Sequence, residues 1–260
     1  MNTSMPNCTI LVATHKPYWM PSSACYVPLQ VGSAGRPSFG FMRDDCGESI
    51  SEKNPWYCEL TGMYWAWKNI RADYIGLVHY RRFFTRSAWV FGTEGKRKAI
   101  LDSQEWERLL QQHPLILPKC RHYFITTRRN QFITSHGPEG LTCTEEAMER
   151  LFPEYLPAYQ AVMARTWGHI CNMFVMRRDL YDNYCAWLFP LLEDVEAEIY
   201  RRSGSVPPRL LGFIAERLLD VWLEQKVLPY KEIAYTSIEP VNWPVKVTAF
   251  MKRALKATSR

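Results

Sequence analysis

Apolar and polar residues alternate in blocks along the chain, and these blocks predict strands that alternate with helices. The stretch 9–15 (TILVATH) is typical of a buried strand. Residues 73–79 (DYIGLVH) contain a short, β-prone apolar run, which is typical of a central parallel strand covered on both faces. Further strand-like runs are PLILP (114–118), HICNMFVM (169–176) and KEIAY (231–235).

Apolar residues at helical spacing predict the elements between these strands. One helix is predicted over 54–69, with Asn54 as its N-cap and Pro55 at its first position. Thr142 and Glu145 form a predicted capping box that opens another helix. Further helices are predicted at 103–111, with Ser103 as the cap, and at about 179–202 and 208–226.

This succession of elements predicts a single α/β domain with a mostly parallel central sheet flanked by helices. The chain has 260 residues, of which 47% are hydrophobic, and this supplies enough apolar surface for a substantial core. No repeat, low-complexity segment or linker divides it. We therefore assign residues 1–243 to the domain and residues 244–260 to a separate basic tail.

The composition points to an anionic partner and to a cytoplasmic protein. A formal net charge of +6 and an isoelectric point near 8.9 suit nucleotides, phosphorylated substrates, membrane surfaces or nucleic acid. The eight cysteines show neither a C-x-x-C pair nor zinc-ligand spacing, which favours reduced core residues. The sequence shows neither a signal-peptide pattern nor an apolar segment of transmembrane length. We expect a cytoplasmic protein, attached at most to the inner face of the cytoplasmic membrane.

Several common motifs of nucleotide chemistry are absent from the sequence. It contains no G-x-x-x-x-G-K-[ST], no G-x-G-x-x-G and no G-x-S-x-G, which argues against P-loop enzymes, ordinary dinucleotide sites and α/β-hydrolases. It also lacks a D-x-D triplet, and the carboxylate pairs considered for a metal are Asp44 with Asp45 and Asp194 with Glu196. We therefore expect no metal cofactor.

Six segments of unusual composition carry a resemblance to a known family. They are THKPYWMPSSACYVPLQVG (14–32), ISEKNPWYCELTGMYWAWKN (50–69), ADYIGLVHYRRFF (72–84), LILPKCRHYFITT (115–127), CNMFVMRR (171–178) and GFIAERLLDVW (212–222). Together they resemble a bacterial family of capsular and exopolysaccharide glycosyltransferases, long catalogued only as a domain of unknown function. The resemblance covers most of the chain up to about residue 225.

The resemblance implies a GT-A-like fold and a nucleotide-sugar donor, which for some members of the family is UDP-galactofuranose. We therefore predict an inverting, metal-independent glycosyltransferase. It would move a sugar from a UDP-sugar co-substrate to a lipid-linked oligosaccharide in the synthesis of capsule, exopolysaccharide or O antigen.

The predicted central strand ends in HYRR (79–82), at the edge where ligands bind in open α/β sheets. GT-A enzymes commonly place D-x-D at this strand end. The resemblance thus implies that Arg81 and Arg82, with His79, bind the donor diphosphate in place of a carboxylate-held cation. Because neighbours on an extended chain point to opposite sides, one of the two arginines is expected to face the ligand. The alternatives are a solvated ion pair for the arginines and a satisfied core position for His79.

The first predicted strand ends in Thr14, His15 and Lys16, where GT-A folds usually receive the nucleotide base and ribose. Thr14 and His15 can form hydrogen bonds and Lys16 adds positive charge, which makes the three residues candidates for nucleotide binding. An exposed turn before Pro17 is the alternative.

Candidates for the catalytic base lie in the carboxyl-terminal half of the chain. Glu216 is the first, because an apolar helix desolvates its carboxylate and because its motif resembles the placement of the base in inverting GT-A enzymes. His136, in a predicted loop, is the second and Asp220 is the third. Asn172 is a candidate for binding an acceptor hydroxyl. The alternatives are an ion pair between Glu216 and an arginine, and a buried structural amide at Asn172.

Two other functions would also use the positive charge. A sugar-phosphate transferase would bind its donor in the same basic pocket, but its product would retain the donor phosphate. A nucleic-acid-binding module would present a broad basic surface lined with aromatic side chains, whereas here the basic residues cluster at predicted strand ends. We therefore expect no nucleic-acid partner.

The basic tail, PVKVTAFMKRALKATSR (244–260), can place five apolar residues on one face of a helix: Val247, Phe250, Met251, Ala254 and Leu255. Lys246, Lys252, Arg253 and Lys256 remain available elsewhere, as in amphipathic helices that lie on anionic lipid. A frayed terminus or a dimer contact is the alternative.

Truncation after Trp243 is expected to reduce binding to anionic liposomes, because the tail supplies both apolar area and positive charge. Co-sedimentation with liposomes measures the binding, and circular dichroism verifies that the fold is intact. Equal binding by the truncated chain would refute a membrane role for the tail.

Overall fold

The computed structural model describes residues 7–239 and shows an α/β domain in which helices cover a central sheet. The predicted fold class is confirmed. The strands are β1 (Cys8–Thr14), β2 (Tyr26–Gln30), β3 (Met42–Arg43), β4 (Tyr74–His79), β5 (Arg82–Phe84), β6 (Leu115–Pro118), β7 (Arg121–His122), β8 (Trp167–Gly168), β9 (Phe174–Arg177), β10 (Lys231–Ile233) and β11 (Tyr235–Ser237). The α-helices are α1 (Asn54–Tyr57), α2 (Leu60–Asn69), α3 (Thr93–Lys98), α4 (Ser103–Leu110), α5 (Arg128–His136), α6 (Glu139–Leu151), α7 (Leu156–Ala164), α8 (Arg178–Ser203) and α9 (Leu210–Lys226).

The central sheet is mostly parallel. Its strands follow the order β10-β6-β9-β4-β1-β2-β3, and β5 with β11 forms an antiparallel extension beside β4. Strand β1 pairs in parallel with β2 and β4, whereas β9 is antiparallel to β4 and β6. The carboxyl ends of β1, β4 and β6 therefore share one edge of the sheet with the amino end of β9. Open α/β sheets bind their ligands at this edge.

Alternate residues of each central strand pack into two separate cores. On β4, Ile75 and Leu77 belong to the larger core, which is completed by α2 and by α6 to α9. Tyr74 and Val78 belong to the smaller core on the other face, together with Trp106 of α4. Because both faces are buried, the strand is apolar up to His79, as the sequence pattern predicts.

Gly76 lies where β4 is packed between its two neighbours. A Cβ atom at this position would lie 2.8 Å from Cγ2 of Val175 and 3.0 Å from Cγ1 of Ile10. The missing side chain therefore makes room for the β-branched residues of β9 and β1 in the centre of the sheet.

The predicted helix over 54–69 is two helices in the structure. Cys58 adopts a φ of 55°, which ends α1 and starts a new helix after Glu59. The N-cap position is occupied by Lys53, and Asn54 instead donates from Nδ2 to the carbonyl of Cys58 at 2.7 Å. Because of this break, Glu59 lies between the two helices, at the N-cap position of α2.

Two predicted helix caps are also placed differently. Thr142 and Glu145 lie inside α6 and do not open it. The capping box of α4 is formed by Asp102 and Glu105, with Ser103 as the first helical residue. The backbone N–H of Glu105 donates to Asp102 Oδ1 at 3.0 Å, and the backbone N–H of Asp102 donates to Glu105 Oε2 at 2.8 Å.

The strand predicted over 169–176 begins only at Phe174 in the structure, so it is shorter than the apolar run in the sequence. Cys171 and Asn172 have φ values of 74° and 48°, and so they form a left-handed turn before β9. This turn lies at the carboxyl edge of the sheet, beside the end of β4.

The tail over 244–260, and with it the domain boundary predicted at residue 243, lies outside the residues that the structure describes. Between residues 7 and 239, no helix is long and apolar enough to cross a membrane.

Candidate functional site

The candidate site lies at the carboxyl edge of the sheet, where β1, β4 and β9 bring distant segments together. Ala13 of β1 is level with His79 of β4, so the residues that follow the two strands lie side by side. The turn before β9 adjoins them, since the ring nitrogen Nε2 of His79 hydrogen-bonds the carbonyl of Cys171 at 2.5 Å. Helix α9 covers this edge and carries Glu216.

The ends of β1 and β4 form a positively charged cluster around His15. Its ring lies edge-on to Tyr80, with ring centroids 5.4 Å apart, and Lys16 Nζ is 5.1 Å from the same Tyr80 ring. The pKa of His15 is lowered by burial and by the charges of Lys16 and Arg81, together with those of Arg36 and Arg209. Four basic side chains therefore act on the imidazole of His15. An anionic ligand bound there would relieve the repulsion between their charges.

Thr14 holds the loop that carries this cluster. It is buried, its hydroxyl donates to the carbonyl of Lys16 at 2.6 Å, and the Lys16 N–H donates back to the hydroxyl at 3.3 Å. The hydroxyl predicted to contact the nucleotide thus fixes the turn.

Arg81 and Arg82 act on different parts of the cleft. The Arg81 guanidinium lies 5.7 Å from the Tyr80 ring centroid and 3.5 Å from Glu239, beside the His15 cluster. Arg82 is close enough to Glu216 for its charge to lower the pKa of that carboxyl. Tyr80 and Arg81 form a turn that joins β4 to the antiparallel β5, so the extended chain assumed in the prediction is absent here. The turn, and not strand alternation, sends the two guanidinium groups to separate surroundings.

Glu216 is a carboxylate held in an apolar environment. Its side chain is 23% exposed, and burial raises its pKa above the ordinary value. The charge of Arg217 opposes this shift and that of Glu59 reinforces it. The Arg217 guanidinium is 3.9 Å away and donates to the carbonyl of Phe213 and to Gln131, so it forms no close ion pair with Glu216. A carboxylate with a raised pKa is suited to accept a proton near neutral pH.

Asn172 and His79 both contact Glu59 beside the end of β4. Asn172 Nδ2 donates to Glu59 Oε1 at 2.8 Å and to the carbonyl of Gly212 at 3.2 Å. His79 Nε2 lies 3.8 Å from the same Glu59 oxygen, and burial lowers the pKa of its imidazole. These contacts match the alternatives of a buried structural amide and a satisfied core histidine. They give both residues a role in positioning Glu59.

His136 borders the cleft on the side of α9. It is the last residue of α5, and its ring stacks on Phe213 with centroids 4.2 Å apart. The Arg209 guanidinium lies 4.8 Å from the Phe213 ring, and burial, followed by the charges of Arg217 and Arg209, lowers the pKa of His136. The stack places an imidazole beside the positive cluster.

Asp220 lies one turn beyond Glu216 in a buried network. One carboxylate oxygen forms an ion pair with Arg128 and accepts the backbone N–H of His169 at 3.0 Å, and the other lies 2.5 Å from His169 Nδ1. Burial alone would raise the pKa of Asp220, but the hydrogen bond from His169 and the charge of Arg128 lower it. Arg128 also donates to the carbonyl of Glu216 at 3.0 Å, so the network fixes the backbone that carries Glu216. These contacts favour a structural role for Asp220.

Neither aspartate of the Asp44–Asp45 pair is free to bind a metal. Asp44 is fully buried and accepts hydrogen bonds from two backbone N–H groups and three hydroxyls. Those donors are Gly32 N, Ser33 N, Ser33 Oγ, Ser51 Oγ and Thr61 Oγ1. Asp45 pairs with Arg43 at 2.6 Å. In the described part of the chain, no group of three or more His, Cys, Asp or Glu side chains is arranged to hold a metal ion.

Four residues of the site are absent from the sequence prediction. Glu59 and Phe213 lie within two of the motifs that carry the family resemblance, 50–69 and 212–222. Arg36 and Arg209 lie in loops. An isolated carboxylate in the apolar stretch WYCELTGM (56–63) is a signal that could have identified Glu59. The two arginines carry no comparable signal, because only the tertiary structure brings them to His15.

Comparisons with known proteins identify a family and a similar fold. A family model described as a domain of unknown function (DUF4422) matches residues 9–227. Among solved structures, the chain is similar to one described as the apo structure of the bifunctional glycosyltransferase WbbM, with a TM-score of 0.80 and 30% sequence identity. The similarity covers 90% of this chain and 46% of that chain, so this chain spans less than half the length of the bifunctional protein. No curated protein matches the sequence.

Replacement of Asp220 by Asn is expected to destabilise the fold by about 3–5 kcal/mol, because it leaves the buried Arg128 guanidinium without its charged partner. Chemical denaturation monitored by circular dichroism measures the loss. Glu216→Gln is the matched control, since it makes the same chemical change one turn earlier on the same helix. Native stability with abolished activity in the Asp220 variant would instead identify Asp220 as the base.

Proposed function

The chain belongs to the family described as a domain of unknown function (DUF4422), and from this membership and the cleft we propose that it is an inverting, metal-independent glycosyltransferase. It moves a sugar from a UDP-sugar to a lipid-linked oligosaccharide in the assembly of capsule, exopolysaccharide or O antigen. One observation carries the proposal. A cluster of cations at the ends of β1 and β4 and Glu216, a carboxylate with a raised pKa, both lie near the carboxyl edge of the sheet, which supports a site for an anionic donor and a base.

The cation cluster is suited to the diphosphate of the donor. Lys16, Arg81 and Arg209 act together on His15, and guanidinium groups bind phosphate oxygens in a bidentate manner while remaining charged at all working pH values. The negative charge of the departing UDP would therefore be stabilised by the protein itself. The commitment to UDP, and to galactofuranose as one candidate sugar, follows the family resemblance.

Glu216 is suited to activate the acceptor. As the acceptor hydroxyl oxygen attacks the anomeric carbon, the bond from that carbon to the UDP oxygen breaks and Glu216 takes the hydroxyl proton. The base must act from the side opposite the leaving diphosphate, and Glu216 lies on α9 beside Arg82, whereas Lys16 and Arg81 act on His15. Burial raises the pKa of Glu216, and Glu59, held by Asn172, raises it further, which makes the carboxylate a better base.

Replacement of Glu216 by Gln is expected to lower turnover on the order of 10²–10⁴-fold with donor binding nearly unchanged, because it keeps the shape and removes the basic oxygen. Initial rates of sugar transfer and calorimetric titration with UDP measure the two quantities. In the native protein the rate should fall as the pH drops through the pKa of Glu216, which lies above that of an ordinary glutamate.

Stability separates this prediction from a structural role for Glu216. A carboxyl whose pKa is raised in the folded state stabilises the fold at low pH, and this contribution is lost as the pH rises through the raised pKa. The uncharged Gln should therefore leave the melting temperature at neutral pH unchanged or higher. Normal turnover of the Gln variant would exclude Glu216 as the base and direct attention to His136 or Asp220.

Replacement of Arg81 or Arg82 by Ala tests the donor site. Loss of the arginine that contacts the diphosphate is expected to weaken UDP binding about 10–100-fold and to slow transfer, since a charge-assisted hydrogen bond contributes about 1.5–3 kcal/mol. Lysine should rescue only in part, because it lacks the planar fork of arginine. Activity of the native chain should survive treatment with EDTA.

The prediction that the enzyme needs no metal can be refuted by a single result. Complete loss of activity in EDTA, restored by manganese, would show that carboxylates of this chain hold a catalytic cation. Product analysis completes the test, because a product that retains the donor phosphate would identify a sugar-phosphate transferase.

A further inference from the structure

Two loops near the carboxyl edge of the sheet, 85–92 and 119–127, present large apolar side chains to solvent. The four side chains and their exposed fractions are Trp89 (85%), Phe91 (84%), Phe124 (84%) and Ile125 (73%). Among the other large hydrophobic side chains of the described residues, only Val227 is exposed to a similar extent, at 85%. Isolated apolar residues are common on protein surfaces, but two pairs on neighbouring loops indicate an interaction surface.

The two loops are attached to consecutive residues of one segment. Thr85 at the start of the first loop donates its N–H to the carbonyl of Ala234 at 2.8 Å. Lys119 at the start of the second loop donates its N–H to the carbonyl of Ile233 at 2.9 Å. Trp89 and Lys119 also line one shared depression with Ile233. These contacts hold the starts of the two loops side by side. The exposed side chains that the loops carry, Trp89, Phe91, Phe124 and Ile125, are here called the aromatic loop surface.

The charge of this surface is positive. Residues 85–98, which include the first loop and α3, hold four basic side chains and one acidic one. Of the four, Arg86 is paired with Asp102 and Glu105, which leaves Lys96, Arg97 and Lys98 to supply the positive charge. Residues 119–127 hold two basic side chains, Lys119 and Arg121, and no acidic one. Both of these are exposed. Exposed aromatic and aliphatic side chains among cations are the combination that binds an anionic lipid surface.

The aromatic loop surface borders the cleft without forming part of it. Arg121 lies near enough to Cys171 for its charge to act on the thiol, whose pKa burial raises to about 12. Cys171 in turn accepts the hydrogen bond from His79 at the end of β4. A membrane in contact with this surface would therefore lie next to the side of the cleft that receives the acceptor.

We propose that the aromatic loop surface docks the protein on anionic phospholipid, with Trp89, Phe91, Phe124 and Ile125 entering the headgroup region. The docking does not depend on the transfer chemistry proposed above. Single-stranded nucleic acid is the other polyanion that binds aromatic and basic side chains, but it is held by stacking on flat rings. The aliphatic Ile125 at the tip of the second loop offers no stacking face and suits the acyl boundary of a bilayer.

Vesicle flotation with the full chain tests the proposal. The vesicles contain phosphatidylcholine, with or without phosphatidylglycerol. Two double variants, Trp89→Ser with Phe91→Ser and Phe124→Ser with Ile125→Ser, are each expected to weaken binding to the anionic vesicles on the order of tenfold. The native chain should bind vesicles without phosphatidylglycerol more weakly, and added salt should weaken binding to the anionic ones.

Val227→Ser is the matched control, because this equally exposed apolar residue lies at the end of α9 outside the two loops. It should bind vesicles like the native chain, and all variants should keep the native melting temperature and affinity for UDP. The proposal is wrong if both double variants bind vesicles normally or if Val227→Ser loses as much binding. It is also wrong if the double variants lose only binding to a single-stranded RNA oligonucleotide, or if only truncation of the tail reduces vesicle binding.

Discussion

The ion pair between Arg128 and Asp220 is the interaction on which the geometry of the cleft depends. Both side chains are almost fully buried, so neither charge can be left alone in the interior without a large desolvation penalty. The pair connects the start of α5 to the middle of α9, and His169 ties it to the chain that leads into β9. Arg128 also holds the carbonyl of Glu216. A single buried charge pair therefore sets where α9 lies over the sheet and where its carboxylate enters the cleft.

The other half of the cleft depends on a constraint of the opposite kind. Lys16, Arg81 and Arg209 converge on His15 with little local compensation, since Arg81 has only a long, partly exposed contact with Glu239. Such repulsion weakens the ligand-free fold locally, and an anion that enters the cluster removes it. The fold tolerates this repulsion because the strands that present these residues are anchored in two hydrophobic cores. The sheet and its helices thus provide the stability of the fold, and the residues at the edge of the sheet can carry like charges close together.

The features that the sequence predicts well are those fixed by local pattern. The apolar run of β4, its end in HYRR and the long helix around Glu216 are all visible in residue spacing, and the structure contains each of them. The prediction fails where one residue adopts a left-handed conformation. Cys58 splits the helix over 54–69 and Asn172 shortens the strand over 169–176, although neither is a glycine. The partners of Asp220 were also beyond prediction, because Arg128 and His169 are distant in sequence and only packing brings them together.

The order of the site residues along the chain has a consequence for when the site forms during folding. The cations at the ends of β1 and β4 are in place within the first third of the chain, whereas the turn before β9 follows about ninety residues later and the carboxylate on α9 about 130 residues later. During synthesis the amino-terminal part emerges first, and its strands can pair before α9 has left the ribosome. On the proposed function, a nascent or truncated chain would hold Lys16, Arg81 and Arg82 of the donor half but would lack Arg209 and the base. Sugar transfer would in this sense be a property of the finished tertiary structure, and chain order itself delays it until folding is complete.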